Sequence, residues 1–335
     1  MYIDLKKSNH PRFNIKSHRV AIVHMKNHNS PEMITIQDEN FGCHAEHWAL
    51  LTAQPEVDVP LWLKQALDQP YMPMGLCQDE AEMDARTWLI QGPKKAKVHL
   101  SQVIAVDDAQ HPVAVKTAFP CFNSPYKFNA VIDRIIASES QSQAVLRLQL
   151  NADSVVYAFD NLYGVNRLQY NKDHSYQVSL NAWAYTLERV PEGEQIIVDD
   201  PASIKHHRAL HDILQQHDGV APDNLQELLA AWTPQTPDDE APVAVDFSKM
   251  VAYLYGEKVG QEDEAWFQGN IVGKSDMQFQ DSTYTLYDVT LIREDHLPST
   301  LVRIATRDEN LKNFEIGEYI RGNIWIQANI YDKNG

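Results

Sequence analysis

An internal repeat is the feature of this 335-residue chain that most restricts its fold. The run "KFNAVIDRI" at 127–135 resembles "WFQGNIVGK" at 266–274. The aligned pairs are Phe128 with Phe267 and Ile132 with Ile271. Self-similarity on this scale predicts two copies of one supersecondary unit, which we name copy one (127–188) and copy two (266–332).

Three further β-rich segments follow in each copy. They lie at 144–150, 154–160 and 176–188 in copy one, and at 284–291, 300–306 and 319–332 in copy two. A polar loop follows the first strand, at 137–143 and at 275–283, and an irregular or short helical stretch precedes the last strand. We align the last strands through their tryptophans. That alignment matches Trp183 with Trp325, Asn181 with Asn323 and Val178 with Ile320. The pattern predicts the order strand, strand, strand, connector, strand in both copies.

This order resembles that of the oligonucleotide/oligosaccharide-binding (OB) fold, a small Greek-key barrel. The run F-x-G-x-I at 267–271 is similar to a first OB strand, where glycine permits a sharp curl, and "IGEYIRGNIW" at 316–325 is similar to the run that opens the fourth strand. Copy one departs from both patterns, because Ala130 and Leu180 stand in place of the two glycines. The fifth strand is not clear in either copy: the following segment supplies it, or it is missing in copy two.

The whole chain is therefore predicted to be an α+β, β-rich protein with two OB-like Greek-key β-barrels joined by a helical spacer. The expected parts are an N-terminal α+β region at 1–120, OB-like barrel 1 at 121–195, a helical spacer with an acidic, proline-rich linker at 196–262, and OB-like barrel 2 at 263–335. Strands are predicted in the N-terminal region at 18–25, 32–37, 97–106 and 112–119, and helices at 60–69 and 79–90. In the spacer, helices are predicted within 203–232, with Ser203 as the first N-cap, and at 246–259.

The last strand places a large indole on an otherwise polar face. With a period of two, the apolar residues from Ile320 to Ile330 share one face, and Trp325 lies on the other. An exposed indole would forgo up to about 250 Å² of burial, so we expect the N-terminal region or a partner chain to cover Trp325 at least partly. The candidate binding residues are Trp325, Arg321, Asn323, Gln327, Trp183, Asn181 and Tyr185. A purely structural, half-buried role is the alternative for both tryptophans.

Charge is distributed unevenly along the chain. The formal net charge is −17, yet residues 1–30 carry +5. Basic side chains available there to contact nucleic acid are Lys6, Lys7, Arg12, Lys16, Arg19 and Lys26; a solvated segment is the alternative. Copy two holds six basic against ten acidic side chains. That balance disfavours a phosphate-binding groove, because basic contacts to phosphates are the main source of such affinity.

No motif predicts catalysis, a metal or a cofactor. Cys43, His44 and His47 lie close together but lack a second pair of ligands. His207 and His211 are spaced by four residues on a predicted helix but lack the glutamate of a zinc protease. Three scattered cysteines favour reduced thiols in a cytoplasm, and neither a secretory signal nor a membrane span is visible.

These observations predict a non-enzymatic binding or scaffold protein that engages a protein partner or an assembly. Tandem barrels, a spacer and an acidic body also suit an inhibitor that occupies a cationic surface of its target. The alternative is a single-stranded nucleic-acid-binding OB protein, which needs aromatic side chains on a basic groove. An enzyme is a third possibility. We expect weak binding of single-stranded DNA at physiological salt.

Overall fold

The computed structural model describes most of the chain. The described residues are 30–37, 44–68, 72–78, 86–91, 98–106, 112–161, 163–256, 261–280, 282–294, 297–307, 311 and 313–331, with side chains described except at 44–46, 66–116 and 165. The predicted strand at 18–25 and the six basic side chains of residues 1–30 lie outside them. The fold divides into two compact units, the first formed by Met1–Arg189 with Val251–Gly335 and the second by Val190–Met250.

The N-terminal part of the first unit combines short helices with an antiparallel sheet. Its elements are β1 (Glu32–Ile36), a 3-10 helix (His44–Leu50), α1 (Pro55–Asp68), β2 (Met72–Gln78), β3 (Arg86–Gln91), β4 (Val98–Val106) and β5 (Pro112–Phe122). Strands β2 to β5 pair in chain order. The predicted strands at 32–37, 97–106 and 112–119 and the helix at 60–69 are confirmed. The helix predicted at 79–90 is wrong from residue 86 onward, because β3 lies between two paired strands, where the β-branched and aromatic residues of "RTWLIQ" fit well.

The two copies of the repeat and the second unit contain the remaining elements. Copy one has β6 (Phe128–Ser138), β7 (Ala144–Gln149), β8 (Val155–Asp160), α2 (Tyr163–Asn166), a 3-10 turn (Arg167–Gln169) and β9 (Ser175–Ala184), and is followed by β10 (Glu188–Arg189). The second unit has β11 (Gln195–Val198), α3 (Pro201–Gln216), α4 (Leu225–Ala231), a 3-10 turn (Pro237–Glu240) and β12 (Val243–Asp246). Then come β13 (Ala252–Tyr255), β14 (Glu264–Phe279), β15 (Ser282–Ile292), β16 (Thr300–Thr306) and β17 (Tyr319–Tyr331). All eight predicted repeat strands are confirmed, although the loop predicted at 275–283 is mostly strand.

Each copy completes its sheet with the last strand of the other copy. In both copies the first three strands pair antiparallel in sequence, and the last strand pairs with the first. Strand β17 also lies parallel to β8 and antiparallel to β9, and β9 lies parallel to β16. The pairings close two five-stranded rings, β6-β7-β8-β17-β9 and β14-β15-β16-β9-β17. The β-rich prediction is confirmed; two separate barrels are not shown, because the described strands of both copies belong to one mixed sheet of eleven strands.

Matching irregularities in the first strands fix the alignment of the two copies. The register between β6 and β7 shifts between Ile132 and Arg134. The register between β14 and β15 shifts at the same place, between Ile271 and Gly273. Such bulges bend a strand and increase its twist, as a closed ring requires. The predicted alignment of Ile132 with Ile271 is therefore confirmed.

The alignment of the last strands differs from the prediction by two residues. The pairs that decide it are Phe128 with Val178 in copy one, and Phe267 with Gly322 in copy two. Because the two phenylalanines are equivalent, Val178 corresponds to Gly322. It follows that Asn181, and not Trp183, corresponds to Trp325. The shared residue type was misleading because the connectors that precede the two last strands differ in length.

Both faces of the shared strands are buried over most of their length. One hydrophobic cluster inside the rings combines residues of both copies, among them Leu146, Val178, Ile304 and Ile324. A second cluster covers the outer face and packs Trp183, Trp325 and Phe159 under Trp48, Leu51, Val59, Leu63, Phe119 and Phe122. The two copies thus share one core, and the N-terminal region supplies a second layer.

The second unit contains the predicted pair of helices. Asp200 caps α3 by accepting a hydrogen bond from the Ser203 backbone N–H at 2.8 Å, so the N-cap predicted at Ser203 is wrong by three residues. Gly219, at a φ of +81°, follows the helix, where glycine is the usual residue. Over the described residues 246–256 the predicted helix is wrong, because Asp246 ends β12, which pairs with β11, and Ala252–Tyr255 form β13, which pairs with β14.

Candidate functional site

Trp325, the centre of the predicted site, lies in the interior. Its indole has no exposed surface and donates Nε1–H to Asp263 Oδ2 at 2.7 Å. Its ring stacks on His47 with a centroid separation of 3.9 Å and meets Phe159 edge-on at 5.6 Å. The prediction that the N-terminal region or a partner chain covers Trp325 at least partly is confirmed, and here the N-terminal region supplies the cover. Trp183 is also fully buried, edge-on to Phe122 at 5.0 Å.

A short polar chain lies beside the Trp325 indole. His47 is 2% exposed, and its Nε2 lies 3.5 Å from Glu264 Oε1. Tyr185 donates its hydroxyl hydrogen to the same oxygen at 2.8 Å. Burial by itself would raise the pKa of Glu264, but the hydrogen bonds from His47 and Tyr185 outweigh it and lower that pKa below its usual value. A carboxylate with a lowered pKa is a weak base, so the arrangement suits hydrogen bonding better than proton abstraction.

A network of buried amides ties the two shared strands to the N-terminal region. Asn181 Nδ2 donates to Gln327 Oε1 at 2.6 Å, and Gln327 Nε2 donates to the Pro120 carbonyl at 2.7 Å. Asn161 Nδ2 donates to Asn329 Oδ1 at 3.2 Å. Because unpaired buried amides are costly, this network specifies how β9, β17 and β5 fit together.

The remaining predicted site residues lie nearer the surface. Arg321 Nε donates to Glu188 Oε1 at 2.6 Å, and the exposed Asn323 donates its backbone N–H to Thr186 Oγ1 at 3.0 Å. Tyr185 is partly exposed. The structure therefore separates the predicted site into an interior group and these three. A binding role for them stays a prediction, and the interior group contacts a ligand only if the covering residues move.

A row of polar side chains crosses the outer face of copy one, and the sequence analysis missed it. Arg134 lies directly opposite Arg147, which lies directly opposite Tyr157. Tyr157 packs on Tyr255 at a ring-centroid separation of 4.6 Å. The Tyr255 side chain is 40% exposed. The ion pairs of this row are Arg134 with Glu32 at 2.8 Å and Arg147 with Asp133. Like charges directly opposite are destabilising, so the carboxylates stabilise the pair of arginines.

At the equivalent positions of copy two, the side chains form an ion pair with each other. By the register of the strands, the positions of Arg134, Arg147 and Tyr157 are taken by Gly273, Asp288 and Arg303. Arg303 donates two hydrogen bonds to Asp288, at 2.7 and 3.0 Å, and Tyr126 donates a third at 3.1 Å. The two copies therefore differ in chemistry at this position: copy one has two ion-paired arginines beside aromatic rings, and copy two has an arginine bound directly to an aspartate.

The second unit is strongly acidic. Residues 190–250 hold twelve acidic against three basic side chains, a formal charge of −9 within the total of −17. Strand β11 of this unit exposes two large apolar side chains, Ile196 at 49% and Ile197 at 59%. The run "EGEQIIVDD" at 192–200 shows both the acidic residues and the apolar pair. The sequence analysis missed this combination because it interpreted the whole region as a spacer.

Comparisons with known proteins identified no similar protein. No protein-family model, curated protein or solved structure matches the chain. Among the described residues, no group of three or more His, Cys, Asp or Glu side chains is placed to hold a metal ion. No described helix is both long enough and apolar enough to cross a membrane. Function is therefore inferred from geometry and charge.

Proposed function

We propose that this protein is a non-enzymatic binding protein that engages a protein partner or assembly through its acidic second unit. The observation that carries the proposal is the combination, within Val190–Met250, of a net charge of −9 and exposed isoleucines on a two-stranded sheet. An apolar centre with a charged surround is the composition of a protein interface. The negative charge favours association with a cationic partner and suppresses others.

We further propose that each ring of the first unit is an OB-like barrel acting as a scaffold. The order first, second, third, fifth, fourth strand, with the fifth parallel to the third, supports this interpretation. The burial of the outer face around Trp325 under residues 47–63 and 119–122 supports a structural role for that face. A non-enzymatic role in a reducing cytoplasm remains part of the proposal, motivated by the missing catalytic motifs and the few cysteines.

The experiment is to purify the native protein from its own cells with and without nuclease treatment, and to identify what accompanies it by mass spectrometry. We expect a protein to co-purify in both preparations and to dissociate as salt is raised, since charge complementarity is screened. Co-purification of nucleic acid, with every associated protein lost after nuclease treatment, would contradict the proposal.

A single-stranded nucleic-acid-binding role is the second candidate, favoured by the row on copy one. Arg134, Arg147 and Tyr255 combine guanidinium groups with an exposed ring, as nucleic-acid-binding surfaces do. The neighbouring Glu32 and Asp133 neutralise both arginines, so we expect weak binding. Nanomolar affinity for a single-stranded oligonucleotide at about 150 mM salt, lost in an Arg134→Gln/Arg147→Gln variant, would make this candidate the better one.

A further inference from the structure

Strand β11 is an edge strand whose second edge has no neighbour among the described residues. It pairs with β12 alone, in a two-stranded antiparallel sheet. A pair of strands is marginally stable by itself, and an edge is a template for another strand. Ile196 and Ile197 place two adjacent, exposed apolar side chains on this edge strand of the acidic unit.

The hydrogen-bond pattern shows which backbone groups face the free edge. The Phe247 N–H donates to the Glu194 carbonyl at 2.8 Å, so this pair is hydrogen-bonded. Hydrogen-bonded and non-hydrogen-bonded pairs alternate along an antiparallel ladder. With the observed register, Ile196 and Val198 therefore bond to β12. The N–H and C=O groups of Gln195 and Ile197 point to the opposite edge.

The charged residues that flank β11 in the sequence are all acidic. Glu192 and Glu194 precede the strand, and Asp199 and Asp200 follow it. Asp200 is engaged in capping α3, and Glu192 and Asp199 are exposed. A strand added to β11 would place its ends beside these carboxylates. Lysine or arginine at both ends of the added strand complements them, and acidic ends are repelled.

We propose that β11 binds an extended basic segment of a partner protein as an added antiparallel or parallel strand. This inference rests on the proposed function and names its partner class: a short β-branched run with basic residues on both sides. The backbone of Gln195 and Ile197 supplies the hydrogen bonds, the exposed isoleucines supply the apolar contact, and the flanking carboxylates select charge.

The test uses the full-length protein and a fluorescent peptide of sequence KKTVTVTVKK, with EETVTVTVEE as the charge-reversed probe. We expect the basic peptide to bind and the acidic peptide not to bind. Ile197→Pro removes the outward N–H and leaves the bonds to β12 in place, so it should weaken binding at least tenfold. Ile197→Val keeps the N–H and should bind within about twofold of the wild type. Retained peptide binding in Ile197→Pro, or equal binding of both peptides, would overturn the inference.

The same variant separates this inference from the proposed function. Circular dichroism and a nitrogen–proton NMR spectrum establish that Ile197→Pro is folded. Capture of the native partner is then compared between Ile197→Pro and Ile197→Val. Loss of the partner in Ile197→Pro alone supports strand addition. If Ile197→Pro retains the partner, strand addition fails and the proposed function stands. If no protein accompanies the native chain, the proposed function fails, and the peptide measurement still decides whether the edge accepts a strand.

Discussion

At the scale of single residues, the two buried tryptophans differ in one hydrogen bond. Trp325 donates to Asp263, whereas Trp183 Nε1 has no partner among the described residues. Trp325→Phe removes a donor from a fully buried carboxylate, and Trp183→Phe removes none. We expect Trp325→Phe to lower the free energy of unfolding by about 1–3 kcal/mol more than its matched control. Chemical denaturation measures both, and equal losses would contradict this assignment.

Glu264 makes a second prediction at this scale, through pH. Its pKa is lowered in the folded state by His47 and Tyr185 against the opposing effect of burial. The carboxylate of Glu264 therefore binds a proton more readily in the unfolded chain than in the folded protein. Its contribution to stability is present above the unfolded pKa near 4.5 and is lost as the pH falls through the folded pKa. Stability measured from pH 7 to about pH 3 should fall less steeply in Glu264→Gln below about pH 4.5. Parallel curves would show that Glu264 is not linked to folding.

At the scale of elements, the close approach of the backbone of residues 186–187 to the last strand depends on Gly322. A Cβ there would overlap the backbone of Thr186 and Leu187, which cannot move independently. The matched control is Gly273, where a Cβ would meet the Asp288 side chain. We expect Gly322→Ala to destabilise the protein by about 2 kcal/mol or more, and Gly273→Ala by less, because a side chain shifts more easily than a backbone. Thermal denaturation of the two variants measures both losses of stability. A larger loss in Gly273→Ala than in Gly322→Ala would contradict the prediction.

The strands themselves were predictable from sequence, and their partners were not. Alternation in the run 319–332 predicted both the strand and its apolar face, because those features depend on neighbours in sequence. The exchange of β9 and β17 between the copies depends on contacts far apart in the chain. The predicted helix failed at Ala252–Tyr255 for a related reason, since pairing with β14 outweighed a weak local pattern.

The candidate site was less predictable than the fold. The two-residue alternation predicted that Trp325 lies on the face opposite the apolar residues. Only the tertiary structure shows that residues 47–63 and 119–122 cover that face. The row of Arg134, Arg147 and Tyr157 requires the register of three strands, which no local pattern specifies. The acidic charge of 190–250 was visible in the sequence, and its compactness was not.

At the scale of the whole molecule, strand exchange makes the two copies one folding unit. The ring of copy one includes β17 of copy two, and the ring of copy two includes β9 of copy one. One hydrophobic cluster contains residues of both copies. We expect the amides of Leu146 in copy one and Ile304 in copy two to exchange hydrogen with the same free energy of opening, that of global unfolding. Native-state hydrogen exchange measures both. An opening that exposes copy two and leaves copy one protected would contradict a shared core.

The most direct test of the central claim, that the acidic second unit binds the partner, is a comparison of two charge-reversal triples. The first replaces exposed Glu192, Asp199 and Asp238 of the second unit by lysine, and the matched triple replaces exposed Glu139, Asp153 and Asp173 of the first unit. Both change the net charge equally. At about 150 mM salt the account predicts that the first triple weakens retention of the native partner at least tenfold and the matched triple less than twofold. Equal losses, or a larger loss in the matched triple, would contradict it.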